Sequence, residues 1–309
     1  MTHDWRSRVR RALIRPELAS LTGVVAAFVF FSLATPLFLS TATFVPATSL
    51  AAQFGIVAVG VTLLMIGGQF DLSVGAIVGL TSWSMYLFGQ QLSLAPELAI
   101  LAALGFGTGL GLINGVIVVR TGLASFIVTL ATAMVYRGFL TMQTAGMPIV
   151  VDFPDQLTAI LSGASLGGYR MSVLWFLLIA IIATLFLQRT TIGNWVFSMG
   201  QNAQAARNLG VPVGRTTVLL FSISGFTAAL AGVIMASQYG SVDAGRGIGW
   251  ELYAIAITVI GGTLLTGGYG SVIGTVLGAF FYAIVQGGLI PVSYKHMTLP
   301  TINGECRSR

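Results

Sequence analysis

The sequence predicts an all-α protein that crosses a membrane several times, and three observations support that fold class. Of its 309 residues, 55% are hydrophobic and only 8% are charged, whereas a soluble domain carries about 25% charged residues. Mean hydropathy is +0.90. Apolar runs of about 18 or more residues recur, and each can cross a bilayer as a helix. Because these runs are continuous in hydrophobicity rather than alternating, they indicate a polytopic helical membrane protein and not a barrel.

About nine spans are predicted, and together they fill residues 18–290. A basic N-terminus (1–17) precedes them and a polar tail (291–309) follows them. The predicted spans are 18–39, 48–67, 71–89, 97–119, 124–143, 171–188, 216–237, 251–266 and 270–290.

The N-terminal segment sets the expected orientation. Its arginines are Arg6, Arg8, Arg10, Arg11 and Arg15. An excess of basic residues beside the first span is typical of the cytoplasmic side, so we expect a cytoplasmic N-terminus. A cleaved signal peptide is less favoured, because the apolar run 18–39 exceeds the usual core of about 7–15 residues. The net charge of +6 therefore reflects orientation in the membrane and does not indicate nucleic-acid binding.

A polar break follows the second predicted span. It reads Gly67-Gly68-Gln69-Phe-Asp71-Leu-Ser73-Val-Gly. A carboxylate at the centre of a bilayer costs about 2.5–3.5 kcal/mol, so Asp71 is expected to face protein or water. Asp71 can cap the next helix by accepting from the amide of Ser73 or Val74. It can also line a polar pathway together with Gln69 and Ser73, and the two roles are compatible.

Three further polar residues lie inside predicted spans. Asn114 and Thr129 carry neutral hydrogen-bonding groups, which suit either a pathway for neutral polyols or hydrogen bonds between helices. Arg137 needs a partner or a route to the interface, because its charge is costly in lipid. We assign these three residues as candidates for the translocation pathway or its gate.

The loop 189–215 is predicted to be cytoplasmic and to contain a short helix of its own. Asn202 can cap the first turn, Gly210 can adopt the left-handed conformation that ends a helix, and Pro212 blocks continuation. A short helix presented to the cytoplasm suits docking to a soluble partner. This loop also contains Gly200, Gln201, Ala205, Ala206 and Asn208.

A weak internal repeat relates the two ends of the chain. Gly67-Gly68 precedes a Ser-Val-Gly segment, and Gly261-Gly262 precedes Ser271-Val-Ile-Gly274. Transporters often place interrupted helices at matching positions of two halves. Chance similarity between two glycine-rich segments is the alternative.

The chain lacks the residues that several kinds of catalytic or binding site require. Lys295 is the only lysine, so no phosphate-binding Gly-Lys loop is present. His3, His296 and Cys306 lie in the terminal segments. We therefore predict no catalytic residues, no metal site and no cofactor in this chain.

Several motifs in order resemble the ribose/xylose/galactose-type permeases of bacterial ATP-binding cassette (ABC) importers. The break around Asp71 resembles their Gly-Gly-Ile-Asp-Leu-Ser-Val-Gly signature. The resemblance covers about residues 45–290. Its further motifs are Asn114-Gly115, Phe126-Ile-Val-Thr-Leu130, Arg137-Gly138, Gly200-Gln-Asn-Ala-Gln-Ala-Ala-Arg-Asn-Leu-Gly210, Gly261-Gly262-Thr and Gly267-Gly268-Tyr-Gly-Ser-Val-Ile-Gly274.

This resemblance implies the permease fold of ABC importers, with interrupted helices in residues 18–290. It implies a multi-pass subunit of the bacterial inner membrane that works beside a second permease copy in the lipid. A periplasmic sugar-binding protein would deliver a monosaccharide, and a cytoplasmic ABC ATPase would bind ATP and Mg²⁺. It further implies that residues 200–210 form the ATPase-coupling segment.

The tail departs from the resemblance, because family members add a tenth span where residues 291–309 read as polar. The sequence there is expected to come from a truncated, shifted or joined reading frame.

Two other classes of function compete with a sugar importer. A self-sufficient secondary transporter or channel would need more ionisable groups inside the membrane. An intramembrane enzyme or receptor lacks a catalytic constellation. Among relatives, permeases for branched-chain amino acids are the nearest alternative.

Overall fold

The computed structural model describes residues 16–34, 36–164 and 168–297. The predicted arginine cluster and residues 298–309 of the predicted tail lie outside the described residues. Within them the chain is mostly helical. The helices are α1 (Pro16–Ala34), α2 (Thr41–Ile66), α3 (Val74–Tyr86), α4 (Pro96–Thr121), α5 (Ser125–Thr144), α6 (Asp155–Leu161), α7 (Met171–Arg189), α8 (Thr191–Gln201), α9 (Ala203–Asn208), α10 (Val213–Tyr239), α11 (Trp250–Ile260) and α12 (Val272–Met297).

Six of the described helices are long and apolar enough to cross a membrane: α2, α4, α5, α7, α10 and α12. The chain is therefore a multi-pass membrane protein, as predicted. The other three predicted spans fall on α1, α3 and α11, which are not among these six helices. The count of nine spans stays a prediction.

The ends of several predicted spans need correction. Span 18–39 gives way after Ala34 to a 3₁₀ turn, Pro36–Leu39, where Pro36 has no amide hydrogen to continue an α-helix. Helix α3 begins at Val74 rather than at residue 71, and α11 ends at Ile260 rather than at 266. Helix α12 runs past 290 to Met297 and so enters the predicted tail.

Helix α2 forms the centre of the bundle. Every residue from Ala51 to Ile66 is buried, and the helix packs against α7, α10, α11 and α12. An apolar helix that is buried all round is typical of the interior of a large membrane bundle. The helices around it expose large apolar side chains instead, as expected of surfaces that face lipid or a second subunit.

Glycines at four-residue spacing in α4 and α12 lie at close helix contacts. A Cβ at Gly111 would collide with the carbonyl oxygen of Phe221 in α10, and one at Gly115 would lie 2.9 Å from the Cα of Val218. In α12, a Cβ at Gly274 would collide with the carbonyl of Gly261. Small residues at these positions allow backbones to approach closely, which is how helices associate in lipid.

Two helix breaks occur at the positions of the predicted repeat. The first lies between α2 and α3, where Gly68 has φ +76°, and the second between α11 and α12, where Gly262 has φ +87°. Each break ends a helix with a left-handed glycine, which carries no Cβ penalty there.

A pair of two-residue strands links the loops at the other end of the bundle. β1 (Ile149–Val150) pairs antiparallel with β2 (Ser241–Val242). This pairing holds the loop after α10, residues 243–249, against the rest of the structure.

Candidate functional site

A fully buried carboxylate lies in the first helix break. Asp71 is 0% exposed, and its Oδ1 accepts from the Ser73 amide at 2.9 Å and from the Ser73 hydroxyl at 2.6 Å. Its Oδ2 accepts from the Ser224 hydroxyl of α10 at 2.9 Å. The predicted bond to the Ser73 amide is present. Asp71 nevertheless stands two residues before the helix cap, which is Ser73 itself. These donors are neutral, and the N-terminus of α3 adds a favourable dipole.

The hydrogen bonds of Asp71 continue across α4 to α5. The Ser73 hydroxyl accepts from the Asn114 amide at 2.7 Å. The Asn114 carbonyl oxygen accepts from the Tyr136 hydroxyl at 3.1 Å. We call Asp71, Ser73, Asn114, Tyr136 and Ser224 the Asp71 network. Sequence reasoning missed Tyr136 and Ser224, because a single hydroxyl group in an apolar span does not indicate which residue it will contact.

Hydroxyl groups at the start of α5 cap the backbone of the same break. Thr129 Oγ1 accepts from the Leu72 amide at 3.0 Å, and Ser125 Oγ accepts from the Phe70 amide at 2.9 Å. Buried amides need such partners. The structure thus brings Thr129 to the break beside Asp71. Gln69 is only partly buried and lies apart from the network, at the cavity described below.

Arg137 is not part of the Asp71 network. Its Nη1 donates to the carbonyl oxygens of Ala244 at 3.1 Å and Arg246 at 2.7 Å. The partners that its charge requires are therefore backbone carbonyls of the loop 243–249. The same loop lies on α3, where a Cβ at Gly79 would come within 2.9 Å of the Arg246 carbonyl. Arg137 consequently ties this loop to α5, beside its contact with α3.

The loop between α7 and α10 contains the predicted short helix, α9. Asn202 Oδ1 accepts from the Ala205 amide at 2.9 Å, which confirms the predicted cap. Gly210 has φ +83°, as predicted for the helix end. Ala206 is 2% exposed and packs with Met199 and Val213. Ala205 is exposed, so the two alanines have different environments.

One exposed residue of this loop was not singled out from the sequence. Leu209, directly after α9, is 84% exposed, the highest value among the exposed large hydrophobic residues described. A leucine in a family-like motif gives no sign of exposure in the sequence. Single exposed apolar residues are common on protein surfaces, so this exposure shows that Leu209 is accessible and no more.

Helix α8 connects this loop directly to both helix breaks. A Cβ at Gly200 would collide with the Ile66 carbonyl and would lie 3.0 Å from the Cα of Gly268. A Cβ at Gly267 would lie 2.8 Å from the Cα of Gly68. The Gly268 amide also donates to the Ile66 carbonyl at 2.8 Å. We call this contact of Ile66, Gly68, Gly200, Gly267 and Gly268 the glycine junction. A shift of α8 therefore presses on the backbone of both breaks.

A cavity of about 540 Å³ opens beside the junction. Gln69 and Ser125 line it from the first break and α5, while Ala203 and Arg207 line it from α9. This cavity thus lies between the Asp71 side of the bundle and the short helix. We call it the α9 cavity.

Comparison with known proteins places these features in a family. Residues 43–300 match the model of a family described as branched-chain amino acid transport system / permease component. The chain is 35% identical over 277 residues to the autoinducer 2 import system permease protein LsrC of Photorhabdus luminescens, which covers 89% of this chain and 82% of that protein. It is 34% identical over 278 residues to the ribose import permease protein RbsC of Haemophilus influenzae. That match covers 88% of this chain and 85% of that protein.

A further relative is LsrC of Escherichia coli, 35% identical over 276 residues, which cover 89% of this chain and 79% of that protein. No solved structure gave a significant match.

Proposed function

This chain belongs to the branched-chain amino acid transport system / permease component family, and we propose that it is the membrane-spanning permease subunit of an ATP-driven ABC importer for a monosaccharide, a pentose or a hexose. The observation that carries the proposal is the α8–α9 segment. It presents an exposed apolar residue on one side and abuts both helix breaks on the other. A subunit built in this way transmits an external motion into the membrane.

The proposed solute is a sugar rather than an amino acid. The relatives described above are named for import of ribose and of autoinducer 2. The sequence motif around Asp71 also resembles that of sugar permeases. Branched-chain amino acids, which the family description names, are the competing solute.

The proposed partners follow from the two ends of the bundle. A cytoplasmic ABC ATPase would dock on Gly200–Gly210 and would itself hold ATP and Mg²⁺, so that this chain needs no cofactor. A periplasmic sugar-binding protein would deliver the solute, and a second permease copy would complete the transporter. The chain would lie in the bacterial inner membrane with its N-terminus in the cytoplasm.

We assign the Asp71 network to the gate of the translocation pathway. It joins α3, α4, α5 and α10 through buried hydrogen bonds, and the break that carries it touches α8 at Gly68. Movement of α8 would strain this break and change the position of α3. We assign Gln69 and Thr129 to the gate as well. Gln69 lines the α9 cavity, and Thr129 caps the backbone of the break. Arg137 would hold the loop 243–249 at the opposite end of α3.

The experiment is uptake by the reconstituted transporter. The chain is inserted into vesicles with its ATPase and binding protein, and uptake of labelled pentoses, hexoses and L-isoleucine is measured with ATP inside. We expect sugar uptake that stops when the ATPase carries a hydrolysis-dead substitution. Uptake that continues with that ATPase refutes the ATP-driven mechanism, and uptake of L-isoleucine alone refutes the sugar assignment.

A further inference from the structure

A second large cavity lies at the end of α2 remote from its glycine break. Its volume is about 520 Å³, within the range of roughly 300–1,000 Å³ that is typical of small-molecule sites. The first half of α2, the end of α10 and the middle of α12 form its walls. It is separate from both the Asp71 network and the α9 cavity.

A hydrogen-bonded pair of amide side chains, one of them buried, lines this cavity. Gln53 is only 4% exposed, and its Nε2 donates to Oε1 of Gln238 at 3.0 Å. Among the described residues, Gln53 Oε1 and Gln238 Nε2 have no further hydrogen-bond partner. One acceptor and one donor thus remain available in the cavity. These free groups are not fully buried and line the cavity, so a ligand that both donates and accepts can bind to them.

A proline in α2 adds a backbone acceptor to the same wall. Pro46 lies inside α2 and has no amide hydrogen. It therefore cannot donate to the carbonyl of Ala42, four residues earlier. Both residues line the cavity.

The charges of the lining discriminate between solutes. Arg170 is the only charged side chain among the described residues that line the cavity, and its Nη1 donates to the Ser162 carbonyl at 3.2 Å. The described lining contains no carboxylate. An amino acid would bring an ammonium group with no counter-charge here, and burial of an unpaired charge is costly. Hydroxyl groups, which donate and accept, match the free amide groups.

We propose that this cavity binds a neutral polyhydroxylated solute, a monosaccharide, through Gln53 and Gln238. The proposal rests on the proposed function and gives it a first binding site within the permease. The site offers amide donors and acceptors to sugar hydroxyl groups, whereas its described lining offers no carboxylate as a counter-charge for an ammonium group.

The test measures protection of a thiol in the cavity wall. The full chain carrying Cys306→Ser and Ala47→Cys is placed in nanodiscs, and its rate of reaction with a maleimide is recorded. D-ribose, D-xylose, D-galactose and L-isoleucine are added separately. We expect at least one sugar to slow the reaction, and L-isoleucine to leave it unchanged. Gln53→Leu or Gln238→Leu should raise the protecting sugar concentration roughly tenfold, through loss of one hydrogen bond.

A matched control is Gln143→Leu, since Gln143 is exposed on α5 and does not line the cavity. The proposal is overturned if no sugar protects the thiol, if L-isoleucine protects it equally well, or if Gln53→Leu behaves like Gln143→Leu. ATP-driven sugar uptake by the assembled transporter, measured separately, reports on the proposed function. Intact uptake without protection overturns this site alone.

Discussion

Replacing Gly200 by alanine tests whether α8 transmits motion to the helix breaks. The added Cβ would collide with the Ile66 carbonyl and approach the backbone of Gly268. Both obstacles are backbone atoms, so no side chain can rotate away. The segments must move apart instead, and the hydrogen bond from the Gly268 amide to the Ile66 carbonyl must lengthen.

The magnitude follows from two opposing effects. Overpacking of a tight contact costs about 1–3 kcal/mol. Alanine recovers at most about 1 kcal/mol of helix propensity, and less at Gly200 because α8 ends at Gln201. We therefore expect G200A to lose about 1–2 kcal/mol of stability at the glycine junction.

Two assays read out this change. Thermal unfolding in detergent should show a lower midpoint for G200A, and ATPase stimulation by the loaded binding protein should fall although the ATPase still docks. Gly105→Ala and Gly138→Ala are matched controls, because a Cβ at either position meets nothing within 4 Å. If G200A unfolds and stimulates the ATPase like these controls, the glycine junction does not transmit motion.

Substitutions at four further positions test the remaining assignments. Leu209→Asp should abolish ATPase pull-down while insertion stays intact, because Leu209 is 84% exposed. Ala206→Asp should instead destabilise the loop by roughly 2 kcal/mol or more, because it buries an unpaired charge. Increased proteolysis would report this loss of stability. The Asp71→Asn variant should fold and lose at most about 1 kcal/mol of stability, since one oxygen can still accept both hydrogen bonds from Ser73. Solute uptake should nonetheless fall. Normal uptake would refute a role of Asp71 in the gate. Arg137→Ala should release the loop 243–249 and reduce stability by about 1.5–3 kcal/mol, because two carbonyls lose hydrogen bonds from a charged group. Thermal unfolding measures this loss. Arg137→Lys should retain part of the stability.

Local signals in the sequence predicted local structure well. The cap at Asn202 and the left-handed Gly210 depend only on neighbouring residues, and both are present. The bond from the Ser73 amide to Asp71 spans two residues and was likewise predictable. Helix ends were less predictable, because hydropathy does not register where a backbone turns. Helix α11 therefore ends well before its apolar run does.

Contacts between segments that are distant in the chain were harder to predict from the sequence. Ser224 and Tyr136 complete the Asp71 network from helices that are far away in the chain. The pair Gln53–Gln238 joins residues 185 positions apart. A single polar residue in an apolar run is compatible with many partners, so these pairings could not be read from the sequence.

From the amino-acid sequence we could predict that this chain is a multi-pass helical membrane protein, that it resembles sugar permeases and that a short capped helix follows Asn202. These properties depend on composition and on interactions within a few residues. The tertiary structure was needed to show that Arg137 holds the loop 243–249 instead of joining Asp71, that Ala206 is buried while Leu209 protrudes, and that Gly200 lies against both breaks. Each of these depends on which backbones approach one another, and in a bundle of uniformly apolar helices that is set by shape and by glycine contacts rather than by hydropathy.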